Sequence, residues 1–349
     1  MSDRALHHVV VRMLYDGVFA DLVFESPRRA LEGVDLSEEE IAWILRTDRR
    51  AFRTDPHRRA RSLTGLLEEY PTASALLVRL ARRDPPVAPL DDFFSSEEFH
   101  RGMQAGRSLA ISFGEFLLRS ATEMVRPRSA TQSVRASSSM QGAPADPSRG
   151  RAGSGEAPDP SGVAIAVGLA TLELAIARLR RLRLLAPPAV TADPDLTSMQ
   201  RVQTSPTCAW VEVHPDTLDR FGEIRRRIAL SEVDARAAVV DPAIDLGVAS
   251  SETDGYSATG DSANTVVRSE PILLSAKVEP NPVPGGWMRV IDVELSPISE
   301  ELAAVLNAAH SGISVPALLD QIRSLGADDA ESREIAKDLI RDGLLIEEV

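Results

Sequence analysis

The stretch that decides the fold is residues 271–349, PILLSAKVEPNPVPGGWMRVIDVELSPISEELAAVLNAAHSGISVPALLDQIRSLGADDAESREIAKDLIRDGLLIEEV. It opens on two runs of strand character, 271–279 and 287–295, separated by PNPVPGG at 280–286, a turn signal rich in Pro and Gly. Three helical patterns follow, over 300–310, 315–325 and 330–342. Their apolar residues are Leu302, Val305, Leu306 and Ala309, then Leu318, Ile322 and Leu325, then Ile335, Leu339 and Ile340, each set at helical spacing. Gly312, Gly326 and Gly343 stand after the three helices, where a left-handed residue closes the last turn. A short apolar run at 344–346 reads as a last strand. Two strands followed by three short helices outline a small winged helix. Such units bind either nucleic acid or peptide, and charge separates the two.

Residues 271–349 hold six Lys and Arg against 14 Asp and Glu, and the whole chain carries a net charge of −13. A DNA reader draws most of its affinity from neutralising phosphates and shows a basic face. The third helix sets Arg333, Lys337 and Arg341 against Asp329, Glu331, Glu334, Asp338 and Asp342. The expectation is therefore a peptide binder with no nucleic-acid partner, and a winged-helix transcriptional regulator is the alternative.

The remaining sequence divides by composition, and the expected class is α+β. Residues 1–125 read as an all-helical domain. Leu36-Ser37-Glu38-Glu39-Glu40-Ile41 is a helix start: Ser37 caps, Glu40 reaches back to its amide, and Leu36 packs on Ile41. Asp55-Pro56 opens a further helix, which Glu69-Tyr70-Pro71 ends. Ser95-Ser96-Glu97-Glu98 repeats the capping pattern ahead of an amphipathic helix carrying Leu109, Phe113, Phe116 and Leu117. Residues 126–161, rich in Ser, Pro, Gly and Ala, cannot bury enough apolar surface to offset the entropy of ordering and read as a disordered linker. Within 162–232 the pattern is a helix over 162–185 with a basic end, a strand over 209–213 and a helix over 215–230. Residues 233–268 form a low-complexity insert. The C-terminal winged-helix, peptide-recognition-like domain then spans 269–349, and residues 209–213 are available to it as a third strand.

Chemistry-bearing patterns are sparse. The six histidines show no HExxH spacing, and no GxSxG, P-loop or GxGxxG occurs. Cys208 is the single cysteine, which excludes a disulfide within the chain and fits a cytoplasmic protein. No stretch reads as a membrane span. No catalytic or metal residue and no cofactor of the chain's own is assigned, although an enzyme whose site is dispersed in sequence remains a third reading. Seven arginines and two aspartates fall between Arg46 and Arg61. On so acidic a chain, Arg49, Arg50, Arg53 and Arg58 mark a solvated face or a docking surface for an acidic partner, with a nucleic-acid surface a weaker third reading because no pattern of aromatic interleaving supports stacking. Arg333, Lys337 and Arg341 lie four residues apart on one helix face. They read either as partners of Glu334 and Asp338 or as a rail for an acidic peptide.

Two segments resemble a known family. VRMLYDGVFADLVFESPRRALEGVDLSEEEIAWILRTDRRAFRTDPHRRARSLTGLLEEYP and FFSSEEFHRGMQAGRSLAISFGEFL look like the partner proteins of multinuclear non-haem iron oxidative enzymes that modify ribosomally made peptides. VELSPISEELAAVLNAAHSGISVPALLDQIRSLG, with AKDLIRDGLLI, resembles the recognition element that binds the leaders of such peptides, a winged helix. The resemblance implies a non-catalytic partner with two associates, a TIM-barrel enzyme that holds the iron and a ribosomal precursor peptide. It also implies that the leader adds as a strand beside the sheet and packs against the third helix, a case of β-augmentation. Val290, Ile291, Asp292 and Val293 are the expected strand contacts, and Arg333, Lys337 and Arg341 the helix wall. Which strand offers the free edge is not readable from sequence.

Overall fold

The computed structural model describes residues 3–52, 57–81, 88–125, 160–184, 186, 194–230, 269–280 and 287–348. Arg53, most of the 126–161 segment and the whole of 233–268 lie outside the described residues. The fold is α+β, a helical N-terminal region followed by helices and two small antiparallel three-stranded sheets.

The N-terminal helices are α1 (Asp3–Tyr15), α2 (Gly17–Glu25), α3 (Pro27–Ala30), α4 (Glu38–Arg46), α5 (Arg58–Glu69), α6 (Pro71–Ala81), α7 (Ala88–Asp91), α8 (Glu97–Ala105) and α9 (Leu109–Val125). Their starts follow local chemistry. Ser37 and Glu40 form the reciprocal capping box of α4, with Glu40 N–H donating to Ser37 Oγ and Ser37 N–H to Glu40 Oε2. Ser96 Oγ accepts the Phe99 N–H at the start of α8. Residues of α1, α2 and α4 close a small core around Met13, Val23 and Ile44. The later helices build a larger one around Phe93, Phe94, Phe99, Phe113 and Phe116.

α10 (Pro160–Leu179) runs through this larger core. It is long and apolar enough to cross a bilayer, and most of it is buried against α6, α9, α11 (Thr217–Leu230) and the sheet strand β2 (Cys208–Val213). Small residues permit close approach: a Cβ on Gly168 would run into Thr217, and one on Gly114 into Tyr70. The helix ends six residues before the expected Leu185. Arg181 leaves the helical path, donates to Ser108 Oγ at 2.7 Å and pairs with Glu69 at 2.6 Å. The Leu184 carbonyl accepts the Met288 N–H instead of continuing the helix.

Among the described residues, one acidic side chain is buried within this core. Glu173 of α10 is 3% exposed, and its carboxylate accepts the N–H groups of Thr72 at 3.0 Å and Ala73 at 2.9 Å. These are first-turn donors of α6 that have no intrahelical partner, so Glu173 caps α6 from a hundred residues away.

The sheets lie downstream. One has the order β2-β3-β4, with β3 Glu270–Glu279 and β4 Arg289–Pro297. The expected third strand is therefore present, and β2 pairs antiparallel with β3. The second has the order β5-β1-β6, with β1 Arg201–Thr204, β5 Ile313–Ser314 and β6 Leu345–Glu347. β1 was not expected from the sequence. It lies between β5 and β6 and completes the winged-helix-like unit of α12 (Glu300–Ala308), α13 (Val315–Ser324) and α14 (Asp329–Arg341). Gly343, at φ 72°, ends α14 with the Leu344 N–H bonded to the Leu339 carbonyl and its own N–H to that of Ile340, a Schellman motif. Gly326 holds the corresponding position after α13. Gly312 does not, because α12 ends at Ala308 and Ala309 is its cap.

Hydrophobic cores do not divide where composition does. Ile272, Leu274 and Ala276 of β3 belong to the large helical core, whereas Leu273 packs with Trp210 on the winged-helix core of Val202, Leu306, Leu318, Leu339 and Leu345. The β2-β3-β4 sheet is thus a shared wall with α10 on one face and the winged-helix-like unit on the other.

Burial pushes the Glu173 carboxyl up to about 7, against the lowering effect of the Ala73 and Thr72 N–H groups. The folded chain then holds a proton that the unfolded chain, with an ordinary value of 4.5, releases. Stability contributed by this group is greatest below about pH 4.5 and falls as pH rises towards 7, by roughly 3 kcal/mol in all. Urea unfolding across that range is expected to show a negative slope that Glu173→Gln flattens. Parallel slopes for the two proteins would contradict this assignment.

Candidate functional site

β4 is an edge strand, and its backbone phase follows from three hydrogen bonds. The Ala276 N–H donates to the Thr207 carbonyl on the β2 side of β3, and the Ile298 N–H donates to Pro271. In a central strand successive residues bond to alternate sides, so Pro271, Leu273 and Ser275 address β4. Their partners Ser296 and Glu294 point inward. Val293 and Leu295 therefore direct their N–H and C=O groups away from the sheet. The third bond agrees: the Val293 N–H donates to Asp292 Oδ1 at 2.9 Å rather than to β3. Among the described residues no strand pairs with this side of β4.

The register shifts between Lys277 and Val278: Lys277 faces Asp292, but Val278 faces Val290. Ile291 is the extra residue of a β-bulge, and it is 37% exposed. Of the four expected strand contacts, Val293 carries an outward N–H, Asp292 occupies that N–H, Ile291 forms the bulge, and Val290 lies beyond it. The strand itself begins and ends two residues later than 287–295. Leu295 and Pro297 extend the edge past the expected set. A Pro there fits an edge strand, where it deprives the ladder of no donor.

The helix wall is arranged differently. α14 packs chiefly on α13 and β6. Lys337 Nζ lies 3.2 Å from Glu334 Oε1, and Arg341 Nη1 2.7 Å from Asp338 Oδ1. Two of the three cations are thus in intrahelical pairs, each worth a few tenths of a kcal/mol, roughly 0.2–0.5. Arg333 is exposed on the same helix. These residues share a helix face and are not brought together with Val290–Val293 by any contact described.

In the N-terminal cluster Arg49 ties its 3-10 turn to α2, at 2.7 Å from Asp21 and 3.3 Å from Glu25. Those bonds, Asp21 foremost, raise its pKa. Arg58 Nη1 donates to the Leu14 carbonyl at 3.4 Å, and Arg59 pairs with Asp91 at 3.1 Å. Arg50 is exposed beside the turn. Arg49, Arg58 and Arg59 therefore knit the helices together, while Arg46, Arg50 and Arg61 are exposed.

A cleft of about 350 Å³ lies between α1 and α8, lined among others by His8, Arg12, Phe19, Phe99, His100 and Met103. Asp16 Oδ2 stands 3.9 Å from both Arg12 Nε and His100 Nε2. Burial, reinforced by Arg12, lowers the His100 pKa to about 4, so the ring is neutral at neutral pH. His100 Nε2 and Arg12 Nε are shielded from solvent. Sequence reading missed this grouping because α1 and α8 are about ninety residues apart and their packing carries no local signature. Among the described residues no three His, Cys, Asp or Glu side chains gather as a metal site requires.

The phase of β4 makes a direct prediction. Glu294→Pro removes an inward ladder donor and should destabilise the chain by about 1–3 kcal/mol relative to Glu294→Ala. Val293→Pro should differ little from Val293→Ala, because its N–H lies outside the ladder. Urea midpoints of the four variants decide this, and a reversed order would mean that the strand faces the other way. Compared with known proteins, the chain matches no protein-family model and no curated protein.

Proposed function

We propose that this chain is a non-catalytic partner subunit in peptide maturation. Its C-terminal part holds the leader of a ribosomal precursor peptide by strand addition to β4, the outer strand of the sheet on which the winged-helix-like unit packs. Its helical part docks a TIM-barrel, iron-dependent enzyme that modifies the peptide, and the iron belongs to that enzyme. The observation that carries this reading is the outward backbone of Val293 and Leu295 on an edge that no strand pairs among the described residues, which is a template for another strand. The likeness of the two quoted segments to such partners and recognition elements supports it from the sequence side.

The mechanism is one of placement. A leader bound along β4 makes the encounter of its attached core with the enzyme effectively intramolecular, with an effective concentration in the mM range for a short flexible tether. The β2-β3-β4 sheet rests on α10, and α10 rests on α6 and α9, so a peptide on this edge is anchored to the same core as the docking helices. Exposed Arg46, Arg50 and Arg61 offer positive charge to an acidic enzyme surface.

The test is co-purification with a TIM-barrel iron enzyme and a short precursor peptide drawn from the gene neighbourhood of this chain. Wild type is expected to retain both. Leu295→Pro should keep the enzyme and lose the peptide, while Arg46→Glu with Arg50→Glu should weaken the enzyme complex, as high salt should for wild type. Retention of neither partner by the wild-type chain would refute the proposal, and full peptide retention by Leu295→Pro would remove β4 from it.

A further inference from the structure

The two faces of β4 differ in chemistry. Val293 and Leu295 are half-buried against the large core, whereas Asp292, Glu294 and Ser296 are exposed on the opposite face. Lys277 stands across the ladder from Asp292, but Glu294 faces only Ser275. The winged-helix core reaches Leu273 and Trp210 on this side of the sheet, and the three β4 side chains beyond them remain open to solvent. Residues 271–349 as a whole carry 14 acidic against six basic side chains.

Directly opposed residues on adjacent strands put their side chains on the same face. A strand added to β4 thus places one residue beside Val293 on the apolar face, and its two neighbours beside Asp292 and Glu294 on the acidic face. We infer that the segment received by this edge alternates cationic and apolar residues: Lys or Arg, an apolar residue, then Lys or Arg opposite Asp292-Val293-Glu294, with a second apolar residue opposite Leu295. The pattern reads the same in both directions, so it holds for parallel and antiparallel addition. This inference rests on the strand-addition reading above and narrows it to one class of peptide.

Asp292 makes the selection sharper. Its carboxylate accepts the Val293 N–H, the donor that an incoming strand must use. Addition replaces this bond by one to the peptide carbonyl and releases the carboxylate. A cationic residue then meets the freed charge, whereas a neutral or acidic one leaves it uncompensated. The self-bonded edge is thereby biased against strands of the wrong charge.

The experiment uses the full chain and three labelled peptides with the same alternating apolar residues and with Lys, Gln or Glu at the intervening positions. Affinity is read by fluorescence anisotropy at low and high salt. Two exposed ion pairs support a preference of roughly tenfold for the Lys peptide over the Gln peptide at low salt, shrinking at high salt. Asp292→Asn with Glu294→Gln keeps the Val293 acceptor and should abolish the preference, and Leu295→Pro should abolish binding of the Lys peptide. Equal binding of the Lys and Gln peptides, a preference for Glu, or an undiminished preference in the Asn/Gln variant overturns the charge rule while leaving strand addition standing. Binding of none of the three overturns both, as does undiminished Lys-peptide binding by Leu295→Pro in a chain that circular dichroism shows to be folded.

Discussion

The arrangement depends on a carboxylate inside an apolar helix bundle. Glu173 sits midway along α10 with Leu172 and Leu174 on either side, and it reaches the first turn of α6. A charge or a lone polar group in such a place is costly unless it is bonded. Here the carboxylate and the unpaired helix N–H groups satisfy each other, so displacing one helix strands both sets of atoms. The interaction therefore acts as an alignment device. Apolar packing would tolerate a slide of α10 along α6, but the two N–H bonds accept only one position. Since α10 also carries β2, that position sets where the sheet stands relative to the helices.

The sheet passes the alignment on. Its central strand has one side of the pleat in each core, Leu274 in the helical one and Leu273 in the winged-helix-like one. Strand alternation is what lets three strands serve two cores, since a shift of one residue would exchange the two sets of side chains. The outer strand, β4, inherits this phase, and with it the direction of the Val293 and Leu295 backbone groups. The edge is then moderated by local features: a bulge at Ile291, a proline at its end, and an aspartate on its own neighbour's N–H. These are devices by which sheet edges avoid unselective pairing.

What was legible in the sequence was local. Ser37 with Glu40, Ser96, and Gly343 act within a few residues of themselves, and each marks a helix boundary where expected. The apolar spacing of α9, α12, α13 and α14 was equally plain because a helix encodes its buried face in its own period, but Leu325 and Ile335, read as part of it, are exposed. Strand β1 escaped notice because Arg-Val-Gln-Thr has a single buried apolar residue, Val202, and its partners lie more than a hundred residues on. The role of Glu173 was not legible, because it needs α6, which only the tertiary fold supplies. At the candidate site the strand was readable and its phase was not, since phase depends on bonds made by Thr207 and Pro271. The cationic stripe on α14 was readable too, while its neutralisation by Glu334 and Asp338 depends on side-chain conformation.

The position of β1 bears on how this protein is put together as a heritable unit. The winged-helix-like part looks contiguous in sequence, yet the strand at the centre of its small sheet comes from ahead of α11, and Val202 on that strand fills its core. The larger sheet likewise takes β2 from the same upstream stretch. A segment cut at residue 269 would leave β5 and β6 without the strand that joins them, and β3 with one bare side. The β4 edge is therefore not a cassette that recombination can lift out and attach elsewhere. It travels only with the helix-and-strand region that precedes it, so its connection to the helical core is written into the topology.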